Sequence, residues 1–299
     1  MGKKQKMTRK EKKAAKKAAK RARKEALKQA SLSVRIRNAA MNVITVCLIG
    51  IILVCGYKIG STYWDYYQSK HAYNNISENV AKVDPNQFTG VIDWTSLEKV
   101  NSDIQGWLYQ KDTVINYPVV QGANNDTYLH TRFDKKWGGG GTLFVDFRCK
   151  SDFKGFNSII YGHHMKDGSM FRCLRGYTKE DGYYDDHKTL ELATPDGNYH
   201  LQVFSAYITK ATDENTYKCT FSSDEEKQAY INYAYQNSEL GISRSEIPVT
   251  TDDKLITLST CAYDFDDARY IVVCKATKWT KKEVQEGKDL QEQIDAQAE

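Results

Sequence analysis

No C-x-x-C pair and no Cys/His spacing of the metal-ligand kind occurs among the seven cysteines, at positions 47, 55, 149, 173, 219, 261 and 274. A structural zinc site is therefore not expected. Four consecutive glycines, Gly138 to Gly141, are followed by no Gly-Lys-Ser/Thr and lead into a β-type run instead of a helix. They read as a turn and not as a phosphate-binding loop. Asp264, Asp266 and Asp267 lack the ligand spacing of an EF-hand and read as a solvated loop. Neither a metal nor a cofactor is expected.

Negative charge is scarce at the start of the chain. Residues 1–37 hold sixteen of the 43 Lys and Arg but only two of the 38 acidic residues, a local charge of +14. Beyond them, 27 basic residues face 36 acidic ones, a net charge of −9. The formal +5 thus comes from the arm alone, and the main domain has no basic footprint for nucleic acid. The arm's Lys, Arg and Ala favour helix but offer no apolar face to bury. It reads as a solvated arm, or as a cytoplasmic one held at an anionic inner leaflet, where each basic residue contributes about 1 kcal/mol.

Charge then vanishes from residues 39–57, a run of 19 residues. At about 1.5 Å per residue it spans roughly the hydrocarbon core of a bilayer. A cleaved signal peptide would carry a small-residue site after a shorter apolar region, and none follows. Val54 is a poor neighbour for lipid modification at Cys55. The basic flank places the N-terminus in the cytoplasm. Residues 38–58 are thus expected to be a single transmembrane signal anchor, with everything beyond about Lys58 outside. Residues 59–86 read as a juxtamembrane helix or linker whose Tyr63, Trp64, Tyr66, Tyr67 and Tyr73 form an interfacial belt or pack on the domain. The main domain takes residues 87–280, and residues 281–299 read as a polar tail.

Short β-type runs fill residues 106–109, 114–121, 142–148, 157–161, 189–193, 199–209, 255–260 and 270–276. Thr194-Pro195-Asp196-Gly197-Asn198 is a hairpin turn. About eight strands with turns between them predict a mainly β fold, a closed barrel or sandwich. Residues 94–101 read as a short helix. Residues 222–240 are a helix inserted before the last two strands, because Ser223 with Glu226 forms a capping pair and Tyr230, Ile231, Tyr233, Ala234 and Leu240 make an apolar stripe.

Chemistry concentrates in residues 252–278, where two strand-like runs flank an acidic loop at 264–267. Cys261 closes the first run and Arg269 opens the second, so a hairpin holds a thiol and a guanidinium at one sheet end. A thiol becomes a nucleophile with a base or cation nearby. The run at 157–165 ends in His163 and His164, of which only one can face Cys261, since adjacent strand residues point oppositely. The five cysteines beyond the apolar segment are odd in number, leaving at least one free thiol. A Cys261–Cys274 disulfide across the hairpin would silence this chemistry. The bland alternative is a core Cys, a surface His pair and a solvated Arg. His71, His130, His187 and His200 read as surface residues; His130 is the hardest to dismiss, since Tyr128 and Phe133 could set it near a groove.

Thr257-Leu258-Ser259-Thr260-Cys261, with Arg269 eight residues on, resembles the TLxTC…R signature of sortases. Tyr161-Gly162-His163 resembles the segment that carries the sortase histidine, and the run on through Met165, Lys166, Asp167, Gly168 and Met170 to Phe171 is similar to class B. Residues 101–108 and 141–146 are similar to other class B segments, so the resemblance spans about residues 94–278. It implies a sortase-like closed barrel with N-terminal helices packed against it. It also implies a cysteine transpeptidase of a Gram-positive envelope that cuts exported proteins at a C-terminal motif of the NPxTx type and joins them to an amine of a peptidoglycan cross-bridge. Cys261 would be the nucleophile, His163 the acid and base, Arg269 the substrate or oxyanion holder, and Ser259 a substrate contact or a hydroxyl tied to a neighbouring strand. His164 would be structural or exposed, and the residue orienting the histidine is left open. An exported cysteine protease and a non-catalytic wall-binding domain are the alternatives. A pilin-polymerising sortase is disfavoured, because no aspartate-proline-aromatic lid motif precedes the domain.

Overall fold

The computed structural model describes residues 9–29, 32–84 and 87–298. The first eight residues of the basic arm, residues 30–31, Pro85 and Asn86 of the linker, and Glu299 lie outside the described residues. The chain divides into two compact units, Met1–Tyr63 and Trp64–Glu299. The first holds α1 (Arg9–Gln29) and the first part of α2 (Leu32–Asn75). The described side chains of α1 are exposed, as a helix of Lys, Arg and Ala without an apolar stripe must be. The apolar window of α2 has none of its surface buried and is long and apolar enough to cross a membrane, by length and composition.

In the second unit the last turns of α2 meet the glycine turn. Tyr73 is buried, donates to the Gly141 carbonyl and lies 3.1 Å from Thr142 Oγ1. The Gly139 amide donates to the Asp65 carboxylate at 3.0 Å. Trp64 and Tyr67 stay exposed, Tyr66 is half-buried, and Tyr73 is the member of the aromatic cluster that is fully packed. The short helix α3 (Trp94–Val100) starts at Asp93, whose carboxylate accepts the Ser96 amide at 2.9 Å.

Eight strands close a barrel: β1 (Ile104–Tyr109), β2 (Asn116–Val120), β3 (Leu143–Val145), β4 (Asn157–Tyr161), β5 (Thr189–Thr194), β6 (Gly197–Lys210), β7 (Lys254–Cys261) and β8 (Ala268–Lys278). Their order around the barrel is β1-β2-β3-β4-β7-β8-β6-β5. The pairs β2–β3 and β4–β7 are parallel, and the others are antiparallel. Pro195 and Asp196 form the two-residue turn between β5 and β6, closed by Gly197 at φ 133°, a backbone that favours glycine. Between β4 and β5 lie two short helical turns, α4 (Gly176–Lys179) and α5 (Tyr183–His187).

Both faces of β7 are buried, which is why apolar residues occur at both parities along it. Ile256 and Leu258 join the main core with Trp107, Leu143 and Val272, while Leu255 joins a second core outside the barrel. There α6 (Asp224–Asn237) lays Tyr230, Ile231 and Ala234 over Ile271 and Val273. Each fully buried Ile or Val of this layer contributes roughly 1.5–3 kcal/mol. The capping pair is formed, with Ser223 Oγ accepting the Glu226 amide at 3.4 Å and the Glu226 carboxylate accepting the Ser222 amide at 2.8 Å.

The polar tail differs from expectation. Residues Lys281–Ala298 form a helix, α7, opened by a second capping pair in which the Thr280 amide donates to Glu283 at 2.7 Å and the Glu283 amide to Thr280 Oγ1 at 3.3 Å. Val284, Gly287, Leu290, Gln291 and Ile294 turn inward, and Thr89 Oγ1 donates to Gln291 at 2.8 Å. A Cβ at Gly287 would stand 2.1 Å from the Thr89 carbonyl, so glycine is what lets this helix dock. One cysteine pair is closed, Cys149–Cys219, separated by 70 residues. Cys261 and Cys274 are both free: the hairpin sets Cys261 opposite Arg269 and Cys274 opposite Ile256.

Candidate active site

Strands β4 and β7 run parallel, so their C-terminal ends reach the same barrel rim, where antiparallel β8 begins. Tyr161 pairs with Ser259, and the Gly162 amide donates to the Ser259 carbonyl at 3.1 Å. Carried on two residues, this register sets His163 level with Cys261. Cys261 in turn pairs with Arg269 across the hairpin. Residues 259, 261, 269 and 271 share the outer face, since directly opposed residues point the same way. All three predicted groups, with Ser259, line one cleft of about 290 Å³.

A loop from β2 to β3 builds the wall on the histidine side. His163 Nε2 lies 2.8 Å from the Leu129 carbonyl. A carbonyl can only accept, so Nε2 carries the proton and Nδ1 is the nitrogen open to proton exchange. The next residue, His130, stacks on His163 with ring centroids 5.6 Å apart and planes 15° from parallel. Burial pulls the His163 pKa below its ordinary value, the Leu129 carbonyl raises it, and His130 lowers it further. The place left open for a residue orienting the histidine is thus filled by a backbone carbonyl. Asp264, from the acidic loop, pairs instead with Arg175 at 3.1 Å.

Arg269 Nη1 donates to the Ala268 carbonyl at 3.0 Å. Among the described residues no carboxylate forms an ion pair with Arg269, so its charge is not neutralised. Ser259 is buried, and its hydroxyl lies 3.0 Å from the Tyr217 hydroxyl, on the loop between β6 and α6. Burial pushes the Tyr217 phenol up to about 12; Ser259 and Arg269 pull it down, and Cys261 pushes it up. Tyr217 therefore sits within the field of both the thiol and the guanidinium. The partner of Ser259 is this loop residue and not a neighbouring strand.

His164 points elsewhere. It lines a separate cavity with Arg172, Arg175, Ala262 and Tyr263, edge-on to the Tyr263 ring at 5.5 Å. Burial and those two arginines pull its pKa down. His187 stacks on Tyr183 and His200 on Trp279, away from the cleft. Sequence reasoning missed Leu129, whose contribution is a backbone atom that no residue type announces, and Tyr217, which lies in an irregular loop without periodicity. His130 is exposed, as expected of a surface residue, yet it stacks in the cleft; its aromatic neighbours Tyr128 and Phe133 were the available signal.

A thiol, an imidazole with a free nitrogen and an unneutralised guanidinium in one cleft suit nucleophilic acyl chemistry. Comparison with known proteins agrees. The sortase domain family model matches residues 110–277. The sortase B of Staphylococcus aureus is 35% identical over 241 residues, covering 80% of this chain and 97% of that protein. That of Listeria monocytogenes is 32% identical, covering 77% and 93%. A Bacillus anthracis sortase B structure superposes with a TM-score of 0.63 at 31% identity, covering 73% of this chain and all of that one. Homologues of this kind are cysteine transpeptidases, and this chain belongs to the sortase family, as a class B sortase.

Proposed function

We propose that this enzyme is anchored in the membrane by the apolar stretch of α2, with the barrel outside the cell. There it cleaves exported proteins after the threonine of a C-terminal sorting motif and joins them to a peptidoglycan cross-bridge amine. The observation that carries the reading is the single cleft that His163, Cys261 and Arg269 line together. A sortase B–substrate complex of S. aureus, 32% identical with a TM-score of 0.58, supports a peptide in the corresponding groove.

The Cys261 thiolate attacks the threonine carbonyl carbon, and the carbonyl electrons move onto oxygen. Arg269, planar and without a carboxylate partner among the described residues, faces that oxyanion or holds the substrate backbone. Collapse expels the amine of the next residue, which takes its proton from the His163 imidazolium, and a thioester remains on Cys261. The incoming amine attacks the thioester carbonyl and gives its proton to His163. The thiolate leaves, and an amide joins the two chains. Ser259 and Tyr217 together shape the floor on which the motif rests.

Incubating the purified enzyme with an NPxTx peptide, with and without triglycine, tests this directly. A joined product in the presence of the amine is the expected result. Hydrolysis alone at every amine concentration identifies a protease, and no cleavage at all removes the enzyme reading.

A further inference from the structure

We propose that His130 is a positioning residue for His163 and that the two rings take up protons as a coupled pair. The proposal rests on the transpeptidase reading, in which His163 must carry a proton to the departing amine. Leu129 and His130 are consecutive, so one loop supplies both the carbonyl that holds Nε2 and the ring that covers the imidazole face. His130 is itself tethered: its Nδ1 donates to the Gly139 carbonyl at 3.4 Å, and the Gly139 amide donates to Asp65 at 3.0 Å. The other charged groups around the pair are few. Asp126, Cys261 and Arg269 line the cleft, and behind His130 lie Asp65 and Arg132, the latter paired with Asp134 at 2.9 Å. Among the described residues none forms an ion pair with either ring.

Two cations in parallel rings 5.6 Å apart repel, so the pair accepts one proton readily and a second reluctantly. Burial already disfavours the charge on His163, and the neighbouring His130 ring lowers its affinity for the proton further. A charge on His130 therefore draws the His163 midpoint down, so that as the pH rises His163 loses the proton it must donate sooner and transfer slackens on the alkaline side.

Ring-proton NMR titration of the wild type, His130→Phe and His130→Ala tests this without turnover. Phenylalanine keeps the stack and removes the charge, so the His163 midpoint should rise by about 0.5–2 pH units. The alkaline limb of the kcat/KM profile, where His163 loses the proton it donates, should move to higher pH in parallel, with the acid limb in place. Alanine also removes the cover and should lower kcat about tenfold at the optimum, less than the hundredfold that an ångström of misplacement can cost. His130→Phe should restore that kcat while keeping the displaced alkaline limb. A His163 midpoint that is the same in all three proteins overturns the coupling. If the midpoint moves as expected in a protein that cleaves no peptide, the coupling stands and the transpeptidase reading falls.

Discussion

The Gly162 amide and the Ser259 carbonyl meet at 3.1 Å, one step beyond the last paired residues of β4 and β7. That single bond keeps the two parallel strands in register up to the rim, and so sets how far His163 stands from Cys261. Gly162 is also the one residue type that fits: an added Cβ would stand 2.5 Å from the Phe171 ring and 2.6 Å from Leu143 Cδ2. Gly162→Ala should therefore tilt the strand end, lowering kcat/KM about a hundredfold. Overpacking should cost about 1–3 kcal/mol of stability. Wild-type kinetics in this variant would show that the register does not set the site.

Arg269→Lys keeps the charge but loses the planar fork that can hold an oxyanion and a backbone carbonyl together. Because Arg269 is only half-buried and has no carboxylate partner among the described residues, the fold should survive. Steady-state kinetics should show kcat/KM reduced about 10²–10³-fold, as for a lost oxyanion donor. Near-normal activity would reduce Arg269 to a bystander.

The Cys149–Cys219 disulfide ties the loop that carries Tyr217 to the segment after β3. In chain-entropy terms, closing a loop of 70 residues is worth about 4 kcal/mol. Cys219→Ser should lower the unfolding temperature, and it should raise the peptide KM because Tyr217 lies two residues away. Thermal unfolding and peptide kinetics of the variant check both parts. An unchanged KM would separate the loop from substrate binding.

Helix α7 should loosen as the pH rises. Burial disfavours charge on His200, but Glu191 at 2.9 Å and Glu283 at 3.2 Å outweigh it and hold the imidazole above its ordinary value. Glu283 is pulled down to about 2 by the Thr280 amide and hydroxyl and by His200. A folded value above the unfolded one means that the contribution is complete below about pH 6.5 and is lost as the pH climbs through the raised value. Amide exchange in α7, corrected for intrinsic rate, should accelerate across that window, and His200→Gln should remove the pH dependence. A flat response in the wild type would contradict it.

The mainly β fold was legible because most of its strands are short apolar runs between turn residues, its closure into a barrel came only with the sortase resemblance, and α6 was legible because Ser223 and Glu226 mark its start. Cys261 and Arg269 were placed together by hairpin logic alone; strand alternation let only one of His163 and His164 face the thiol, and the resemblance selected His163. What stayed hidden belongs to tertiary structure. The inward stripe of α7 is interrupted by a glycine and a glutamine among Lys and Glu, so its composition reads as polar. Cys149 and Cys219 are brought together only by the closing barrel. The Leu129 carbonyl that holds His163 has no side-chain signature at all.

Trapping the acyl-enzyme tests the central claim most directly. The enzyme mixed with a sorting-motif peptide and no amine, quenched in acid and digested, should carry the motif's mass up to threonine on the fragment containing Cys261. Hydroxylamine should release that mass, and Cys261→Ala should neither carry it nor cleave peptide. Cleavage that persists in Cys261→Ala, or an adduct on another residue, would contradict a thioester at this position.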